Sequence, residues 1–105
     1  MNQDYPELQQ FLAGYFNQDW MCDHKNADDV IDFFTSDVST DVLLEVRSEL
    51  DRLIMTNMTE QELQDYLFTD IGCYYYYLNE WTDARTWLKH VSSILKNDKS
   101  SNENK

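Results

Sequence analysis

The chain has 105 residues, with 20 Asp and Glu against 8 Lys and Arg, and a net charge of −12 at neutral pH. That length predicts one domain, and so acidic a surface repels phosphate, which argues against nucleic acid as a partner and in favour of a basic protein surface. Two glycines and one proline are too few for the tight turns of a sandwich or barrel, and no apolar run approaches the roughly 20 residues needed to span a bilayer.

Taken in chain order, Pro6 and Glu7 suit the first turn of a helix, and Leu8, Phe11, Leu12, Tyr15 and Phe16 follow at helical spacing. Gly14 marks a close approach or a stop, and a loop is expected through residues 17–25. Asn26 is a candidate N-cap for a short helix to about Thr35, with Val30, Phe33 and Phe34 on one side and Asp28, Asp29 and Asp32 on the other. Ser39 or Thr40 opens the next helix, which carries Leu43, Val46, Leu50, Leu53 and Ile54 and ends near Met55. Thr59-Glu60-Gln61-Glu62 is a capping box; its helix presents Leu63, Tyr66 and Leu67 and stops near Gly72.

The run Cys73-Tyr74-Tyr75-Tyr76-Tyr77-Leu78 fits either extended chain or a helix covered on both faces, so residues 73–81 stay open. Thr82 is the expected cap of the last helix, whose stripe is Ala84, Trp87, Leu88, Val91, Ile94 and Leu95. The fold class is therefore all-α: a single compact bundle of about five short helices over residues 1–97, with a frayed, disordered polar tail over 98–105.

The charge is uneven. Residues 1–83 hold 18 carboxylates and three basic side chains (Lys25, Arg47, Arg52), whereas residues 84–105 hold two carboxylates and five basic ones. Part of this acid is ordinary helix-start chemistry at Asp28, Asp29, Asp41 and Glu60. The N-terminus, Met1-Asn2-Gln3-Asp4, lacks the basic and apolar pattern of a signal segment, so a cytoplasmic protein with two reduced thiols, Cys22 and Cys73, is expected.

Catalytic chemistry is weakly represented. Cys22-Asp23-His24 invites a metal or a thiol nucleophile, but the other Cys and His, Cys73 and His90, are each isolated in sequence, and no orienting third residue is evident. A partly buried Cys22 and a solvent-facing His24 are expected instead. Asp37-Val38-Ser39-Thr40-Asp41 begins like a calcium loop, yet Val42 stands where glycine is required and Ser48 where a glutamate is. No phosphate-cradling glycine loop is present. No catalytic residue, cofactor or metal is assigned, and the chain reads as a non-enzyme.

Aromatic residues at helical spacing, namely Phe11, Tyr15, Phe33, Tyr66 and Trp87, are expected in the core. Four adjacent tyrosines cannot all point inward from one regular element, so one or two of Tyr74–Tyr77 should be exposed beside Glu80 and Asp83. Tyrosines at an acidic rim are what interface hot spots use.

The block Phe11-Leu12-Ala13-Gly14-Tyr15-Phe16-Asn17-Gln18-Asp19-Trp20, with Tyr5-Pro6-Glu7-Leu8 before it, resembles the N-terminal motif of the contact-dependent growth inhibition immunity proteins of bacteria. Glu49-Leu50-Asp51, Glu62-Leu63, Gly72-Cys73-Tyr74 and Trp87-Leu88 extend the resemblance over nearly the whole chain except the tail. It departs at Asn17, where the family tends to histidine, and at Tyr75–Tyr77, where it tends to prolines.

The resemblance implies a cytosolic protein that binds one cognate toxin C-terminal domain, one to one, and occludes its active site. Many such toxins are nucleases, whose cationic clefts an acidic inhibitor can occupy. A motif shared by proteins that neutralise different toxins cannot tell those toxins apart. So Gly14, Tyr15, Phe16, Gln18 and Trp20 are expected to serve the scaffold, with Trp20 pinning the loop and Asp19 capping a turn. Toxin contact is assigned to Tyr75, Tyr76, Tyr77 and Glu80, and to the acidic group Asp23, Asp28, Asp29 and Asp32. The alternative is an acidic nucleic-acid mimic or adaptor that binds a basic housekeeping protein.

Overall fold

The computed structural model describes the backbone of residues 5–103 and the side chains of residues 5–96. Helix α1 (Pro6–Tyr15) is followed by a one-turn α2 (Trp20–Asp23), then α3 (Ala27–Asp37), α4 (Thr40–Ile54) and α5 (Glu60–Asp65). α5 continues as a π-helical turn, Tyr66–Ile71. An irregular stretch holding a 3-10 turn, Tyr77–Asn79, leads into α6 (Ala84–Glu103). No strand occurs among the described residues, so the all-α expectation holds. α6 packs against α3, α4 and α5, while α1 lies against α3, α4 and the π turn. The expected division at residue 97 falls inside α6, whose described backbone runs on to Glu103, while the side chains beyond residue 96 and residues 104–105 lie outside the described residues.

Local chemistry sets most of the boundaries. Asn26 and Ser39 accept from the Asp29 and Val42 amides, and Thr59 with Glu62 forms the complete capping box. α6 is capped by Asp83, whose carboxylate accepts from the Thr86 amide, and not by Thr82. Gly72 ends the π turn at φ 84°, a left-handed conformation that a side chain would strain, and its amide and that of Cys73 both donate to the Leu67 carbonyl. Gly14 is not a close approach, since a Cβ there would meet nothing within 4 Å.

The core is continuous through all the helices. Leu8, Phe11 and Leu12 of α1 join Leu43, Val46, Leu50 and Leu53 of α4, and Trp87, Leu88, Val91 and Leu95 of α6. On α3 the inward stripe is Ala27, Val30, Ile31 and Phe34; Phe33, expected inside, is exposed.

Two polar groups join helices through backbone ends. The Arg85 guanidinium donates to the carbonyls of Ile54, Thr56 and Met58, at 2.9, 2.8 and 3.4 Å, and so covers the C-terminal end of α4. Glu49 is the reverse case. It is buried on α4, only 1% exposed, and its carboxylate accepts from the Leu8 amide at 2.8 Å. Tyr5 supplies no side-chain cap to α1, so Glu49 caps that helix from another element.

Burial pushes the Glu49 carboxyl above its ordinary value of 4.5, against the lowering effect of the Leu8 amide. Below that ordinary value Glu49 is protonated in folded and unfolded chains alike. As the pH rises through the range above 4.5 the unfolded chain releases the proton first, so the folded state loses stability. Glu49→Gln should therefore gain on the wild type between pH 4 and pH 7, as read by urea midpoints at each pH. A constant difference across that range would mean that Glu49 does not titrate in this way.

An acidic and aromatic surface at the start of α3

The tyrosine run is held by the block before α2. The Tyr74 amide donates to the Phe16 carbonyl at 2.9 Å, and from there burial alternates. Tyr74 is 61% exposed, Tyr75 5%, Tyr76 49% and Tyr77 0%. The Tyr75 ring meets those of Phe16, Trp20 and Trp87, and the Tyr77 ring stacks on Trp87. The Tyr75 hydroxyl donates to Glu80, and the Tyr77 hydroxyl donates to Glu60 at 2.8 Å. Glu60 also accepts from the Ala84 amide at 2.9 Å, joining the run to the start of α6. Burial, with these carboxylates next, raises both phenols above their usual value.

Tyr75 and Tyr77, assigned to toxin contact from the sequence, are therefore core residues: two inward positions of an alternating segment fill the space beside Trp87. Tyr76 keeps its place on the surface and is joined by Tyr74, which was not assigned. The parity of the run is not visible locally, because it is set by Phe16 and Trp87, distant in sequence.

The large apolar side chains of the signature block, Phe11, Leu12, Phe16 and Trp20, are internal. Phe16 is fully buried and Trp20 nearly so, their rings 5.6 Å apart. Tyr15 donates to Asp37 at 2.6 Å, and burial followed by this bond pushes its phenol up to about 12. Asn17, not Asp19, organises the turn: its amide donates to the Gly14 carbonyl and its oxygen accepts from the Asp19 amide.

The tyrosine run faces the N-terminus of α3. A cleft of about 300 Å³ lies between Trp20, Met21, Lys25 and Asn26 on one side and Tyr74, Tyr76 and Glu80 on the other. Next to it is a notch lined by Asn26, Ala27, Asp28, Glu80 and Trp81. Asp28 is exposed and bonded through Oδ1 to His90 Nε2 at 2.9 Å, and the His90 ring packs on Trp81. Of the residues assigned to toxin contact in two separate groups, the structure brings Tyr76, Glu80 and Asp28 onto one surface, together with Met21, Tyr74 and Trp81, which were not assigned.

Asp23, Asp29 and Asp32 belong to a neighbouring hollow with His24, Phe33 and Ser36. Asp29 contacts His24 Nδ1 at 3.1 Å. His24 is largely buried while Cys22 is exposed, the reverse of the expectation for this pair. Cys73 is buried, and burial pushes its thiol up to about 12. Among the described residues no group of three or more His, Cys, Asp or Glu is placed to hold a metal ion, and no helix is long and apolar enough to cross a membrane.

A family profile described as CdiI immunity protein matches residues 4–95. No curated protein matches the chain. Among solved structures, a chain of the crystal structure of a CdiA-CT/CdiI complex from Y. kristensenii 33638 is similar, at 34% sequence identity and a TM-score of 0.85, over 89% of this chain and 99% of that one.

Proposed function

The chain belongs to the CdiI immunity protein family, and from that premise we propose that it is a non-enzymatic inhibitor of a CdiA-CT toxin domain, acting in the cytosol by occupying the toxin's active site one to one. The observation that carries this reading is the surface at the start of α3. Exposed Met21, Tyr74 and Tyr76 stand there beside the carboxylates of Asp28 and Glu80, on a chain of net charge −12. Such a surface suits a basic partner: aromatic side chains supply contact area at little entropic cost, and carboxylates speed and orient the encounter. A nuclease is the toxin class that fits best, because it must present cations to hold phosphate.

The test is co-expression of the cognate CdiA-CT domain with and without this chain. Survival of the co-expressing cells is the expected result; equal killing in both cultures would end the proposal.

A further inference from the structure

The cleft behind Tyr74 and Tyr76 and the notch beside Trp81 share Asn26, Ala27 and Glu80, so they form one trough with unlike ends. The first end is aromatic, with Met21, Tyr74 and Tyr76 as exposed walls and Lys25 among its lining. The second end holds Asp28, Glu80 and Trp81. Both carboxylates are oriented in advance, Asp28 through Oδ1 by His90 and Glu80 through Oε1 by the buried Tyr75 hydroxyl. A carboxylate accepts up to about four hydrogen bonds, so each retains capacity for a further donor.

The geometry points to a seat for one arginine or lysine of the toxin domain between Asp28 and Glu80, with an apolar neighbour of that residue lying against Met21, Tyr74 and Tyr76. This assignment rests on the immunity reading and adds where the partner's charge goes and in which direction its segment runs. Two carboxylates beside an indole favour a cation through charge-assisted hydrogen bonds and ring contact. Lys25 at the aromatic end repels the same cation and disfavours the reversed orientation. The carboxylate replaces the phosphate that such a residue would otherwise bind, which is how a protein surface competes for a nucleic-acid site.

Calorimetric titration of the purified CdiA-CT domain separates the possibilities. The pair Asp28→Asn and Glu80→Gln keeps shape and acceptor oxygens while removing two charges. The pair Asp65→Asn and Asp70→Asn removes the same charge from a separate hollow between α5 and the π turn. The trough pair should raise Kd at least about 10-fold more than the control pair, given what a close charge pair contributes at an interface. A smaller ratio overturns the seat, because overall charge would then account for the loss. In double-mutant cycles one toxin arginine or lysine should lose its own effect in the trough-pair background; if every basic residue keeps its full effect, the seat has no such occupant. A wild-type chain that does not bind the toxin at all overturns the immunity reading itself.

Discussion

Trp87→Ala should lower the free energy of unfolding by about 3–5 kcal/mol, a large share of the roughly 5–15 kcal/mol that holds a domain together. Trp87 is fully buried on α6, and its ring meets those of Phe16, Tyr75 and Tyr77. Three separate segments therefore converge on one indole: the end of α1, the tyrosine run and α6. Removing it opens a cavity that rigid helices cannot close from three sides at once. The indole N–H finds no partner among the described residues, so Trp87→Phe removes an unsatisfied donor along with some volume and should cost clearly less than the alanine variant. Urea denaturation of the three proteins measures both differences. A loss below about 1 kcal/mol for Trp87→Ala would contradict a junction role.

The second large effect divides the tyrosine run. Tyr76→Ala together with Tyr74→Ala should weaken toxin binding by about 2 kcal/mol or more, as loss of hot-spot side chains does, and lower the urea midpoint only slightly, through the ring contacts of Tyr76 with Phe68 and Tyr77. Tyr77→Ala should do the opposite first, destabilising the fold by about 3–5 kcal/mol through its lost packing. It also strips Glu60 of a hydroxyl donor. Midpoints and affinities measured on the same preparations decide the matter. Equal affinity for the double variant and the wild type would remove the exposed tyrosines from the interface.

How much of this was legible depends on the range over which each feature is determined. Asn26, Ser39 and Thr59 announce helix starts because a cap is chosen by residues within one turn of it. The α3 face was misread by one position: Ala27, Val30, Ile31 and Phe34 make the inward stripe, and a bulky Phe33 beside it drew the assignment outward. Glu49 could not be read as buried, because the amide it caps lies 41 residues earlier, at Leu8. The π turn after α5 leaves no local signature beyond the glycine that ends it.

The candidate surface shows the same limit. Acid at Asp28 and Glu80, and the exposure of some member of Tyr74–Tyr77, follow from composition and crowding, but which tyrosines are exposed does not. That Met21 and Trp81 wall the same trough needs α2 and the tyrosine run to be brought together. The family resemblance carried by residues 11–20 supplied the biological frame, while the structure buries Phe11, Leu12, Phe16 and Trp20 of that block, the last two under Tyr75, and leaves Asn17, Gln18 and Asp19 exposed.

The alternation along the tyrosine run divides positions 74–77 into two registers with different freedoms. Positions 75 and 77 are committed to the interior, whereas 74 and 76 are largely exposed, position 76 keeping only ring contacts with Phe68 and Tyr77. If the proposed toxin contact is made there, a lineage facing a drifting toxin can revise positions 74 and 76 by point substitution. A one-residue insertion or deletion between 73 and 77 would exchange the two registers and present the wrong side chains to solvent, so variation in this segment should proceed by replacement, or by length changes of two.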